Sequence, residues 1–182
     1  MDITHQNNDL YRNLTAYQKA VIIYDLTYHF CNRFITLGDR TKDQMIQAAR
    51  SGKQNIVEGK AASLTSSETH IKLLNVARAS FQELLVDFED YLRTRKLQIW
   101  EIDSHKVEAM RKLGLSYADS DFFIKLAEER DDETIANMVI VLIHQEDVLL
   151  RKHIEKHLAK FINEGGFRES LTKARKDNRK QE

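Results

Sequence analysis

Apolar residues recur along this chain at alternating spacings of four and three, the period of a helix that buries one side. Leu10, Leu14, Tyr17, Val21, Tyr24, Tyr28 and Cys31 keep that spacing. They predict a first helix from about Asn8 to Ile35, with tyrosines in the core and their hydroxyls at its rim. Cys31 is expected to be a small buried apolar residue. Leu37-Gly38-Asp39-Arg40 reads as a tight turn, with Gly38 just past the helix end. A second helix is expected to open at Thr41 or Lys42 and to end near Gly59. Its repeating positions are Met45, Ala49, Gly52, Ile56 and Gly59. Glycine inside a helix costs roughly 1 kcal/mol against alanine, so two on one face point to close approach by another helix.

Thr65-Ser66-Ser67-Glu68 has the form of a capping box, Thr65 as the cap and Glu68 reaching back. The third helix is then expected to run to about Lys96 on a seam of Leu74, Arg78, Phe81, Leu85, Phe88 and Leu92. Beyond Leu97 the pattern weakens. A short helix from Ser104 to Leu113, stopped by Gly114, and another from Phe122 to Glu129, capped by Asp119 or Ser120, are expected. The last long helix is predicted from Asp132 to Asn163, with Ile135, Met138, Val139, Leu142, Leu149, Ile154, Leu158 and Phe161 on its apolar side and Gly165-Gly166 at its end. The fold predicted is all-α: an up-down four-helix bundle with extra short helices between the third and last long helices. Residues 8–130 supply the core helices and short connections. Residues 131–182, the last long helix and a basic tail, form a suffix packed on the same bundle.

Composition supports long helices, since the 182 residues include no proline and only six glycines. Lys plus Arg and Asp plus Glu number 28 each, so there is no global attraction to nucleic acid or to an anionic membrane. Any such role rests on a local patch. The tail offers one: Arg168, Lys173, Arg175, Lys176, Arg179 and Lys180 against Glu169, Asp177 and Glu182, a net of +3. A single cysteine excludes an internal disulfide and a multi-cysteine zinc site. The first residues lack the pattern of a secretory signal, and no apolar run reaches the ~18 residues of a membrane span. A cytoplasmic protein is expected.

Candidate chemistry is sparse. The chain has no P-loop, no GxGxxG, no GxSxG and no HExxH, and no catalytic, cofactor-binding or metal residues are expected. His153 and His157 are four apart, legitimate metal-ligand spacing on a helix, but the sequence names no third ligand and the pair is expected to be exposed. The acids Glu128, Glu129, Asp131, Asp132 and Glu133 suit a helix N-terminus and match no calcium loop. Arg78 is the one charge on its seam, so its guanidinium must be paired or must snorkel out. A buried or half-buried ion pair with Glu58 or Glu146 is expected. Off-seam residues on the first helix (Ile22, Ile23, Phe30, Phe34) and the third (Leu73, Val76, Leu84, Val86) call for a second covering surface, hence self-association.

Two stretches carry a family resemblance. Arg50-Ser51 followed by Asn55-Ile56-Val57-Glu58-Gly59, then Ala77-Arg78-Ala79-Ser80-Phe81-Gln82-Glu83-Leu84, resembles the four-helix-bundle proteins encoded in intervening sequences of bacterial 23S rRNA genes. The accessory protein of diversity-generating retroelements is a relative of that family. The resemblance covers about residues 8–96. Over about residues 132–180, Ala136-Asn137, Leu149-Leu150-Arg151, Phe161 to Glu169 and Arg175 are similar to a suffix domain appended to some members. The resemblance implies a bundle that assembles as a ring-like pentamer, association with RNA or another nucleic acid, and no catalytic residues. Nucleic-acid-binding relatives are basic, whereas this chain is neutral. The expected function is a non-catalytic assembly or adaptor protein that self-associates and binds RNA or a nucleic-acid enzyme. The alternative is a protein-partner or structural module with no nucleic-acid contact.

Overall fold

The computed structural model describes residues 11–164 and, beyond them, Thr172, Arg175 and Lys176. Among these the regular structure is helical: α1 (Thr15–Phe34), α2 (Arg40–Ala62), α3 (Ser67–Thr94), α4 (His105–Ser116), α5 (Ser120–Glu128) and α6 (Asp132–Glu164). No helix among the described residues is long and apolar enough to cross a membrane.

The helix starts follow from short polar side chains that satisfy orphan backbone N–H groups. Asp39 accepts from the Thr41 N–H at 2.9 Å, Ser104 from Val107, Asp119 from Asp121, and Asp131 from Thr134 at 2.8 Å. The capping box at α3 is shifted by one residue. Ser66, not Thr65, is the cap and accepts from Thr69, while Glu68 pairs with Lys72 at 2.7 Å instead of reaching back. Helix α1 begins later than expected: Tyr11–Asn13 form a turn and Leu14 is extended, with no side-chain cap. Leu10 lies outside the described residues. Gly38 takes φ +90° in the turn after α1, a conformation that glycine adopts without strain.

The long helices pack pairwise, α1 on α2, α2 on α3, α3 on α6 and α6 on α1, with α4 against α6 and α5 against α1. Tyr91 meets Asp132, Arg78 meets Asp147 and His70 meets His157, so α3 and α6 run antiparallel. One continuous core runs through these helices, from Ala16 on α1 to Leu150 on α6.

Helix α1 turns a different face inward from the one its heptads suggest. Ile22, Ile23, Leu26 and Phe30 are buried, whereas Leu14, Tyr17, Val21 and Tyr24 are half-buried flanks and Tyr28 is exposed. Of the described residues of the expected seam, only Cys31 is in the core. Both stripes are apolar, but isoleucine, leucine and phenylalanine bury no polar atom, so they win the interior. Burial pushes the Cys31 thiol up to about 12, which suits a packing residue and not a reactive one. Gly114 does not stop α4: it is buried inside the helix, where a Cβ would collide with Gln145 Oε1 and Leu142.

The small face of α2 is buried throughout, at Met45, Ala49, Gly52, Ile56 and Gly59. A Cβ on Gly52 would lie 2.5–2.8 Å from three ring atoms of Phe81 on α3. That ring is buried in the core, so moving it disturbs the residues packed around it. Alanine would gain roughly 1 kcal/mol of helix propensity, but overpacking a filled core costs about 1–3 kcal/mol or more. Gly52→Ala is therefore expected to lower stability in urea denaturation, and Phe81→Leu to relieve that loss. Additive effects in the double variant would show that the two positions do not press on each other.

Candidate functional site

Four polar constellations lie where the helices meet. The first is the residue pattern that carried the family resemblance. Asn55 Nδ2 donates to the Ser51 carbonyl at 2.8 Å, and Ser51 and Ser80 share a hydroxyl hydrogen bond of 2.9 Å across α2 and α3. The motif thus clamps two helices beside the Gly52–Phe81 contact. Its Glu58 is exposed.

The second is the ion pair of Arg78. Its Nε donates to Asp147 Oδ1 at 2.9 Å, and Asp147 also accepts from Arg151 at 2.9 Å. Arg78 is paired and half-buried, but its partner is neither Glu58 nor Glu146. On α6 a step of one residue turns the side chain about 100°, so Asp147 faces α3 while Glu146 points inward. Side-chain exposures of 31% and 18% put the pair below the ~3–5 kcal/mol loss that follows breaking a fully buried one.

The third is buried and was not visible in the sequence. Lys19, 3% exposed, donates its ammonium to the Gly114 carbonyl at 2.5 Å and to Gln145 Oε1 at 3.1 Å. Gln145 Nε2 donates in turn to the Arg111 carbonyl, which links α1, α4 and α6. Beside them Glu146 is fully buried, and neither carboxyl oxygen has a hydrogen-bond partner. Burial holds its pKa well above the usual range; Lys19 pulls it down and Asp147 pushes it up. Burial lowers Lys19, with Glu146 opposing.

The fourth joins the corner between α2 and α3 to the far half of α6. His70, one turn into α3 and 1% exposed, bonds through Nδ1 to the Gly59 carbonyl at 2.6 Å, and its Nε2 is buried without a partner. Its ring lies 4.3 Å from that of His157 and 5.5 Å from that of His153, and the latter two stack at 4.7 Å. His153 and His157 are half-buried, not exposed as their sequence suggested. All three are held neutral, chiefly by burial, with Lys60 acting in the same direction; His157 is lowered to about 4. These rings are the one group among the described residues with the arrangement to hold a metal ion. His70 stands far from the other two in sequence, and only its position near the capped start of α3 and the run of Gly59 toward that turn hint at its place.

Of the basic tail, Arg175 and Lys176 are helical and exposed. Arg168, Lys173, Arg179 and Lys180 lie outside the described residues.

Glu146 sets a pH dependence. In the unfolded chain it ionises near its ordinary pKa of about 4.3, while in the folded protein it keeps its proton well above that. A raised carboxyl pKa gives stability that is full below the unfolded value and is lost as pH rises toward the folded one. Glu146→Gln removes this titration. The variant is expected to be more stable than the parent at neutral pH, because only the parent must hold a proton on the buried side chain above the unfolded pKa, at a cost of about 1.4 kcal/mol per pH unit. The gap should close below about pH 3, where the carboxyl is protonated in the folded and unfolded chains alike. Urea midpoints across pH check this; a gap independent of pH would mean that Glu146 does not titrate differently in the two states.

Comparison with protein-family models, with curated proteins and with solved structures gives no match for this chain.

Proposed function

We propose that this chain is a non-catalytic assembly or adaptor protein, an up-down four-helix bundle that self-associates and binds RNA or an enzyme acting on nucleic acid. The observation that carries the self-association is the apolar surface at one end of the molecule. Helix α6 runs past the start of α3 there, beside the turn between α2 and α3. Leu64, just before α3, and Leu158 and Ile162, one turn apart on the far half of α6, are 61%, 44% and 71% exposed, and Phe161 is half-buried. On the outer face of α3, Val76 and Val86 are likewise uncovered at 47% and 52%. Exposed apolar side chains of this size are what a second copy of the chain covers. The off-seam residues Ile22, Ile23 and Phe30 of α1 and Leu84 of α3 do not contribute, because the chain's own core covers them. The resemblance to the intervening-sequence proteins supports a ring of five.

The RNA arm rests on the tail. Six cations against three acids on each chain, multiplied by assembly, would make a strong local field from a neutral protein. Contacts of that kind are directed at phosphate, so they tolerate sequence and weaken steeply with salt.

Light scattering is expected to give an oligomer mass at micromolar concentration, and Leu158→Glu with Ile162→Glu to lower it without loss of helicity by circular dichroism. A clean monomer mass for the parent overturns the self-association. In filter binding with structured RNA, affinity should fall with salt and shrink when residues 170–182 are deleted. No binding at low salt leaves the protein-partner module as the better account.

A further inference from the structure

We propose that His70, His153 and His157 form a three-histidine site for a zinc-type divalent ion that fastens the far half of α6 to the corner between α2 and α3. The ligand nitrogens of the three rings all lie within 4.8 Å of one another. A tetrahedral zinc site with Zn–N bonds of 2.0–2.1 Å needs nitrogens roughly 3.4 Å apart. Small rotations of the half-buried His153 and His157 about χ1 and χ2 supply the difference, since only His70 is fully packed.

His70 is held as a metal ligand is held. Its Nδ1–H donates to the Gly59 carbonyl at 2.6 Å, which fixes the tautomer and leaves the Nε2 lone pair free. That atom is buried and without a partner. A packed imidazole in a protein interior ordinarily uses both nitrogens, because an unpaired buried acceptor is costly. His153 and His157, one turn apart, present two more imidazoles from a single helix face. Stacked neutral rings account for the contact between those two, but not for the bare nitrogen of His70.

The location gives the ion something to do. From Arg151 onward most of α6 is exposed, and His153, Ile154, His157 and Phe161 are its half-buried residues. A metal bridging α3 to α6 ties down a helix end that little else holds. Three neutral imidazoles leave a fourth position. Lys60, the positive charge acting on all three rings, disfavours a bare dication there and favours one that carries an anion such as hydroxide or chloride.

The test uses the full chain, stripped with chelator and titrated with Zn²⁺ or Co²⁺ alone. One ion per chain is expected by calorimetry, with an intense visible Co²⁺ band of tetrahedral type and a melting temperature that climbs with free zinc. His153→Ala with His157→Ala is expected to abolish all three while leaving the metal-free melting temperature nearly unchanged. No binding by the parent, or equal binding by the double variant, overturns the site and leaves a packed imidazole cluster. Should the double variant prove unstable, hydrogen exchange decides on the parent: zinc must slow exchange across residues 151–164, and unchanged exchange overturns the proposal. None of these readouts depends on RNA or on oligomer mass.

Discussion

Helix α2 can lie against α3 at close range because position 52 carries no side chain, and the Phe81 ring fills the space that one would take. A helix pays for that absence in backbone entropy, by roughly 1 kcal/mol per glycine. The compensation is contact: two backbones approach, and dispersion across the gap is gained over many atoms. The hydroxyls of Ser51 and Ser80, 2.9 Å apart, are within reach of each other for the same reason. Near the end of the same face, Gly59 has Leu73 Cβ 3.4 Å from where its own Cβ would stand, and it offers its carbonyl to His70. The small face of α2 thus sets the spacing for both the core and the histidine corner.

Polar groups inside the core fall into two kinds, and the contrast separates structural work from stored tension. Asn137 is 1% exposed and fully used: its oxygen accepts from the Trp100 N–H, and its amide donates to the carbonyls of Gln98 and Glu133, each at 2.8 Å. It pins the extended connection after α3 onto α6. The acids at the start of α6 are similarly employed, Asp131 as a cap, Asp132 as acceptor for the Tyr91 hydroxyl, Glu133 for the Gln98 N–H. Glu146 is the other kind, buried with no donor, and the nearby Lys19 ammonium is directed to Gly114 and Gln145 instead. Such a group persists by keeping its proton.

Helix α6 has two halves with different surroundings. Up to Leu150 it lies in the core between α1 and α3, and residues Ile135 to Ile143 are buried without a break. A helix apolar all round is one that neighbours enclose, and α4 supplies the remaining wall. Past Leu150 the enclosure stops, and apolar and imidazole side chains stand at the end of the molecule. The proposed assembly and the proposed metal site both use that end, because it combines reach with unfinished burial.

Among the described residues the sequence determined the helices: the order, most of the limits and the buried face of α2 follow from period, caps and glycine spacing. It determined that Arg78 must pair or reach solvent, because a charge on an apolar stripe is costly to bury alone, and the expected carboxylate pairing is met by Asp147. It did not determine which face of α1 is inside, since two apolar stripes compete and only the neighbours' shape selects the one rich in isoleucine and phenylalanine. Nor did it name Asp147 over Glu146, adjacent residues separated by about 100° of helix rotation. Gly114 looked like a stop signal and is a contact site, because its meaning depends on Gln145 across the interface. The histidines show the limit most plainly. Spacing along one helix exposes His153 and His157 to view, but His70 joins them only through the antiparallel pairing of α3 with α6. Local periodicity fixes what each helix can present; which groups meet is fixed by how the helices rotate and slide against one another, and that is decided by packing of the whole core.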